Sequence, residues 1–355
     1  MFFSIFIVIA LSLNSLGRAA DNPLSPEQYR DIIKQGFSTN WFKSCDPLSK
    51  YNDTNIDDIF NKGFRNLRLR ARADLIYGIG PKPCNSMESF LQNLTTVVDK
   101  CLDVGIVPII SWIHHADEIN ATEKARENYV WWWTEVATQL REKDYRLSFN
   151  LFTELGIDAS CGACEESLRR DNDKYNNWTR DVIAAIRKTG GKNTERILIL
   201  GSPGKTAKDL HIIDKNIFNN DDYLMVEWHL YASGPNKNSQ GSKKYWKDNG
   251  KVSGRQNVRI AIEYATNFTK NTNVSTYLGA WMPADNEGGS LSEYEVVQFG
   301  KYFAKQLKKE KIPWSLNVLD VYYNTKESEW IQGKQNISGA MIDMAKVLNA
   351  IAKVM

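Results

Sequence analysis

Eight apolar or β-branched runs, separated by segments of helical period, constrain this chain more than any other feature. The runs are GFSTNWF (36–42), FRNLRLR (64–70), GIVPIISW (105–112), LSFNLFTEL (147–155), RILILG (196–201), YLMVEWHLY (223–231), VSTYLGAW (274–281) and IPWSLNVL (312–319). Each has the length of a strand rather than a helix. Between them lie DTNIDDIFNKG, ENYVWWWTEVATQLRE, NNWTRDVIAAIRKTG, RIAIEYATNF and EYEVVQFGKYFAKQLKKE, with apolar residues at helical spacing and basic or glycine stops. Regular alternation of strand and helix through the chain predicts an α/β fold, a single (β/α)8 TIM barrel closed by parallel strands. An open doubly wound sheet accounts for less. The first strand lacks a glycine-rich dinucleotide turn, and polar residues gather at many strand ends rather than at one switch point.

The chain has 355 residues, a length that one barrel with loop insertions accommodates. The apolar run Phe2 to Leu13, followed by small residues, is too short to span a bilayer and reads as a signal peptide over 1–20, cleaved between Gly17 and Asp21. The barrel domain is then 21–355. Seven N-glycosylation sequons, at Asn52, Asn93, Asn120, Asn177, Asn267, Asn273 and Asn336, point the same way, to a secreted, extracellular glycoprotein. No later run has transmembrane length, so no membrane partner is expected, and the C-terminal AMIDMAKVLNAIAKVM reads as an amphipathic helix. The 45 basic and 42 acidic residues are interspersed, which argues against a nucleic-acid partner.

Of the five cysteines, Cys161 and Cys164 form a C-x-x-C pair without the further ligands a zinc site needs. A small loop disulfide is the better reading, and no metal is expected. Cys101 lies in the helical run FLQNLTTVVDKCLDVG and reads as a buried, inert thiol, while the odd count leaves at least one cysteine unpaired within the chain. ILILGSPGKTAKDL contains Gly204-Lys205-Thr206, but Ile199 stands where a phosphate loop needs its first glycine, so no nucleotide cofactor is expected.

In a barrel the packed interior lies below the C-terminal strand ends and the functional loops above them. Those ends offer Arg68 or Arg70, His114 and His115, Glu154, His229 with Tyr231, and Trp281. Glu154, at the end of an aromatic-rich run, suits a proton donor whose carboxyl is held protonated by partial burial, although a buried Glu neutralised by Arg68 across the barrel is the structural alternative. Period-two geometry puts Glu227, His229 and Tyr231 on one face, with Glu227 deepest and best read as a structural partner. Of eleven tryptophans, the three of VWWWTEV are expected to pack a helix onto the barrel. Trp41, Trp112, Trp281, Trp314 and Trp330 lie at strand ends or in following loops and are the candidate aromatic platforms for sugar rings.

The order of these features resembles the glycoside hydrolase family 5 cellulases, retaining barrels of the same clan. GFRNLRLR is similar to the second-strand motif with its site arginine, matching Arg68; PIISWIHHAD to the third-strand motif, matching His114; LFTELG to the fourth-strand Asn-Glu, matching Glu154 as acid/base; and EWHLYASG to the sixth-strand His-x-Tyr, matching His229 and Tyr231. Two departures stand out. Thr153 occupies the position of the asparagine before the acid/base, and Ala280 follows Gly279 where the family's seventh strand has Gly-Glu. On the eighth strand, Trp314 or Asn317 takes the place of the platform tryptophan.

Retaining hydrolysis needs a second carboxylate to attack the anomeric carbon, which a methyl group cannot do. Asp285, Asp320 and Glu227 are the substitutes the sequence offers. The resemblance implies a cellulase-like protein that acts on or binds β-linked polysaccharide at the barrel top, with impaired or atypical hydrolysis. A catalytically silent extracellular structural, defence or toxin-type protein on the same fold is the alternative.

Overall fold

The computed structural model describes residues 20–77, 83–113, 115–153, 155, 167–232, 246, 252–284, 291–337 and 339–355. Eight strands, β1 (Gln35–Thr39), β2 (Asn66–Arg72), β3 (Val107–Ile113), β4 (Ser148–Asn150), β5 (Leu198–Gly201), β6 (Leu224–Tyr231), β7 (Thr276–Met282) and β8 (Trp314–Leu316), close into a barrel in sequence order. Every neighbouring pair is parallel, including β1 with β8. This is the (β/α)8 barrel that the eight runs predict. Two antiparallel hairpins follow β8, pairing β9 (Tyr323–Asn324) with β10 (Glu329–Trp330) and β11 (Lys334–Ile337) with β12 (Ala340–Asp343). The second corrects the expectation of one helix over the whole C-terminal run: residues 340–343 are strand, and the helix begins at Met344.

The helices are α1 (Pro26–Ile33), α2 (Asp53–Asn61), α3 (Met87–Val104), α4 (His115–Asn120), α5 (Glu123–Leu140), α6 (Asn172–Lys188), α7 (Lys215–Asn219), α8 (Val252–Thr272), α9 (Glu293–Lys309) and α10 (Met344–Ala352). Side-chain caps fix many of their starts. Ser25 with Gln28 and Ser292 with Glu295 form reciprocal capping boxes, and Asp343 caps α10. Gly105, at φ 94°, stops α3 in the left-handed conformation that costs glycine least.

Both faces of the strands are buried, and period two separates two apolar cores. Val107, Ile109, Ile197, Ile199, Met225 and Tyr277 fill the lower barrel interior, closed from below by Tyr29 and Ile33 of α1. The Tyr29 hydroxyl donates to Ser148 Oγ at 2.6 Å. The alternate residues, such as Leu67, Leu69, Ile110, Trp112, Phe149 and Leu198, face the helices. In VWWWTEV, Trp132 and Trp133 are fully buried against the barrel as expected, whereas Trp131 is 40% exposed. Arg196, buried just before β5, donates to the carbonyls of Asp144, Leu147, Leu140 and Lys143 beyond and within the last turn of α5. It meets the negative end of that helix without a carboxylate, and burial lowers its ionisation to about 10.

The plug gives a direct prediction. Tyr29→Ala empties a closed site and is expected to cost roughly 3–5 kcal/mol, whereas Tyr29→Phe loses one hydrogen bond and costs about 1 kcal/mol. Chemical denaturation of the two variants checks that order.

Candidate functional site

Above the apolar interior, the inner face turns polar. Arg68 of β2, Ser111 of β3, Asn150 of β4 and Glu227 of β6 are all buried and lie within one hydrogen-bonded network. Glu227 is its centre. Its Oε1 accepts from Arg68 Nη2 and from His229 Nε2, each at 2.5 Å, and its Oε2 accepts from Asn150 Nδ2 at 2.6 Å. Asn150 Oδ1 in turn accepts from Arg68 Nε at 3.0 Å, Arg68 Nη2 at 2.9 Å and Ser111 Oγ at 2.6 Å. Thr153 joins from above, its hydroxyl donating to the Trp112 carbonyl at 2.7 Å and lying against Ser111 Oγ. The structure thus brings together Arg68, Thr153, Glu227 and His229, and the His229 ring meets that of Tyr231 edge-on at 6.3 Å between centroids.

Two polar atoms of this cluster have no partner. Arg68 Nη1 and His229 Nδ1 are both buried and make no hydrogen bond among the described residues. The short contact to a carboxylate oxygen makes His229 Nε2 a donor, while His229 Nδ1 and Arg68 Nη1 each keep hydrogen-bonding capacity of their own. Buried polar atoms left open at a strand end are what a hydroxyl group can satisfy.

The seventh strand meets this network through Gly279. Its neighbours Glu227 and Tyr277 pair across β6 and β7, as do Trp228 and Leu278, but His229 pairs with Ala280, so Gly279 is an extra residue. The bulge resets the alternation and puts Ala280 on the inner face with His229. A Cβ at 279 would come within 1.9 Å of Glu227 Oε1, so the carboxylate occupies the space that glycine leaves. The same bulge sends Trp281 outward, where it packs edge-on to Phe303 and Trp314 at 5.1 and 5.3 Å.

Four of the five tryptophans the sequence offers as aromatic platforms, Trp41, Trp112, Trp281 and Trp314, are buried, and Trp330 is half-buried. Trp281 is fully buried between the barrel and α9, and Trp314 opens β8 at its N-terminal end, opposite Gln35. Trp112 packs on Tyr129 of α5, Trp41 is buried against Tyr51, and Trp330 sits against Tyr323 and Phe37. Strands buried on both faces do not reveal in sequence which way a tryptophan turns. Asp320, in the turn after β8, is exposed, and its Oδ2 accepts from Asn40 Nδ2 at 2.7 Å. His114, Glu154 and Asp285 lie outside the described residues, as do residues 1–19, Cys161, Cys164 and the side chain of His115. Sequence reasoning missed Ser111 and Asn150. Their signal was a polar residue at an inward-facing position of an otherwise apolar run.

Gly204-Lys205-Thr206 is a hydrogen-bonded turn, with Ser202 Oγ donating to the Thr206 carbonyl at 2.7 Å and Thr206 Oγ1 to Asp209 at 2.5 Å. Its Lys205 carbonyl accepts from the His229 amide at 2.7 Å, so the turn supports the site's backbone. A disulfide joins Cys45 to Cys84, the loops after β1 and β2, and Cys101 is a buried free thiol whose ionisation burial pushes up. Among the described residues no group of acidic, histidine or cysteine side chains could hold a metal ion.

A model of the cellulases, glycosyl hydrolase family 5, matches residues 27–320. The chain belongs to that family. Among curated relatives, the cellulase/esterase CelE of Acetivibrio thermocellus is 28% identical over 182 residues, covering 50% of this chain and 22% of CelE. Endoglucanase B of Clostridium cellulovorans is 26% identical over 208 residues, covering 56% and 44%. The matches therefore span less than half of either relative. Among solved structures, endoglucanase Cel5A of Thermotoga maritima superposes with a TM-score of 0.72 at 15% identity, over 92% of this chain and all of that one. ZgEngAGH5_4, solved with cellotriose, gives 0.72 at 18% identity, over 94% and 99%. In this family 5 chain the position after the seventh-strand glycine is a buried methyl group.

Two measurements probe this arrangement. Gly279→Ala forces its methyl into the Glu227 carboxylate and is expected to lose about 1–3 kcal/mol of stability, a loss that shrinks when Glu227 is also truncated. Replacing both Cys45 and Cys84 by alanine opens a closure with a sequence separation of 39 and is expected to cost roughly 4 kcal/mol, by chain entropy. Denaturant titrations of each variant supply the test.

Proposed function

We propose that this protein is a secreted member of family 5 that binds β-linked polysaccharide at the top of the barrel without two-carboxylate hydrolysis. One observation carries the reading. Ala280 shares the inner face with His229, while both oxygens of the inner-face carboxylate Glu227 are held by Arg68, His229 and Asn150. Double displacement needs a free carboxylate about 5–5.5 Å from the acid, and a buried carboxylate with three donors is not free to attack.

What supports binding is the open hydrogen-bonding capacity beside that methyl group. Arg68 Nη1 can donate to a sugar hydroxyl oxygen and His229 Nδ1 can accept its proton, with Tyr231 as the neighbouring aromatic edge. Relatives named as endoglucanases, and one solved with cellotriose, make β-linked glucose oligomers the first ligands to try. In this reading Glu154 and His114 are taken as ligand contacts on the strength of the family motifs that carry them, with Thr153 fixing the end of the fourth strand. The signal-like leader and the seven sequons support an extracellular site. Among the described residues no helix is long and apolar enough to cross a membrane.

Calorimetry with cello-, manno- and xylo-oligosaccharides, paired with reducing-end release from the matching polymers, tests both halves. Binding is expected without turnover above that of Glu154→Gln, and Tyr231→Ala should weaken it on the order of tenfold, about 1.4 kcal/mol. Turnover that Glu154→Gln abolishes would restore the hydrolase reading, with Asp285→Asn and Asp320→Asn locating the substitute acid. A protein that binds no glycan in the panel would sink the proposal.

A further inference from the structure

The charge on the inner face is balanced on the wrong strand for an acid at position 280. Arg68 is fully buried, and its guanidinium reaches Glu227 at 2.5 Å and Asn150 at 2.9 Å. Glu227, 1% exposed, also accepts a hydrogen bond from His229 Nε2. The carboxylate lies directly over Gly279, in the space a side chain there would fill, and position 280 is the next residue on the same inner face. An acidic side chain at 280 would enter beside His229, whose Nε2 is already bonded to Glu227. Two carboxylates would then share one buried arginine.

We infer that Glu227 and an acid at position 280 are alternative counter-ions of Arg68, and that Glu227 is the positioning residue that keeps position 280 small and uncharged. Each half follows from the same electrostatics. A second buried carboxylate beside the first is driven to its protonated form, because one arginine cannot neutralise both. Removing Glu227 alone leaves Arg68 buried with no counter-ion among the described residues, the costly way to break such a pair. Removing it while adding an acid at 280 returns one negative charge to the same arginine. The missing seventh-strand acid is thus tied to the sixth strand, and restoring it alone would yield a protonated group, not an attacking anion. This inference rests on the barrel interior and not on glycan binding.

Thermal unfolding without sugar tests it. Ala280→Glu and Ala280→Gln, which have the same size and differ in charge, are compared in the natural background and in Glu227→Gln. In the natural background Ala280→Glu is expected to unfold at the lower temperature of the two, by on the order of 5 °C. With Glu227→Gln the order reverses, Ala280→Glu becoming the more stable. If Glu227→Gln alone fails to fold, rescue by Ala280→Glu and not by Ala280→Gln is the same reversal. An identical order in both backgrounds, or rescue by neither, overturns the inference, since a purely steric role would treat acid and amide alike.

Discussion

The upper barrel is organised around one buried ion pair, Arg68 with Glu227. Taking two charges out of water is unfavourable, and their attraction offsets that cost only if the remaining hydrogen-bonding capacity is met. Here Asn150 bridges both partners, Ser111 holds Asn150, and His229 completes the carboxylate. Five strands, β2, β3, β4, β6 and β7, are fixed by this cluster, the last through the absence of a side chain at Gly279. The polar layer therefore sets the register and orientation of the residues above it, in the way a buried polar network can specify one arrangement where an apolar core tolerates several.

The bulge at Gly279 converts that constraint into a site. With regular alternation through Gly279 in place of the bulge, Ala280 would turn outward and Trp281 inward. With the bulge, the large indole goes to the barrel–helix interface and a methyl group goes to the mouth. The chain thus keeps the scaffold of its family while the inner-face group beside His229 is a methyl. Beneath it, Tyr29 and the Val107, Ile109, Ile197 and Ile199 layer exclude water from below, so the cluster has exchange with solvent only toward the mouth.

The fold was legible because eight strands recur with helices between them, and no single boundary had to be right. LSFNLFTEL reads as a nine-residue strand, yet only Ser148–Asn150 stays in the ladder, because Asn150 turns in to the ion pair and Thr153 bonds the neighbouring strand end. The inward set Arg68, Glu227 and His229 was readable because charged residues in apolar runs have few places to go. The tryptophans were not, because outward positions in a barrel are as buried as inward ones. The hairpins after β8 escaped for another reason: strands of two to four residues carry too little periodicity to register.

With Trp112, Trp281 and Trp314 turned away from the barrel interior, recognition at the mouth in the proposed reading falls mainly to directional polar groups. A guanidinium and an imidazole bonded to the same carboxylate oxygen form a rigid pair, because Glu227 holds both groups in place before any ligand arrives. Such a pair distinguishes a hydroxyl, which can accept and donate at once, from an apolar group, which would leave both atoms buried and unmet. In the proposed reading, the ion pair that occupies Glu227 is the same one that orients the atoms offered to a sugar. An inert group at position 280 and a polar binding floor are, in that reading, two consequences of a single placement of charge.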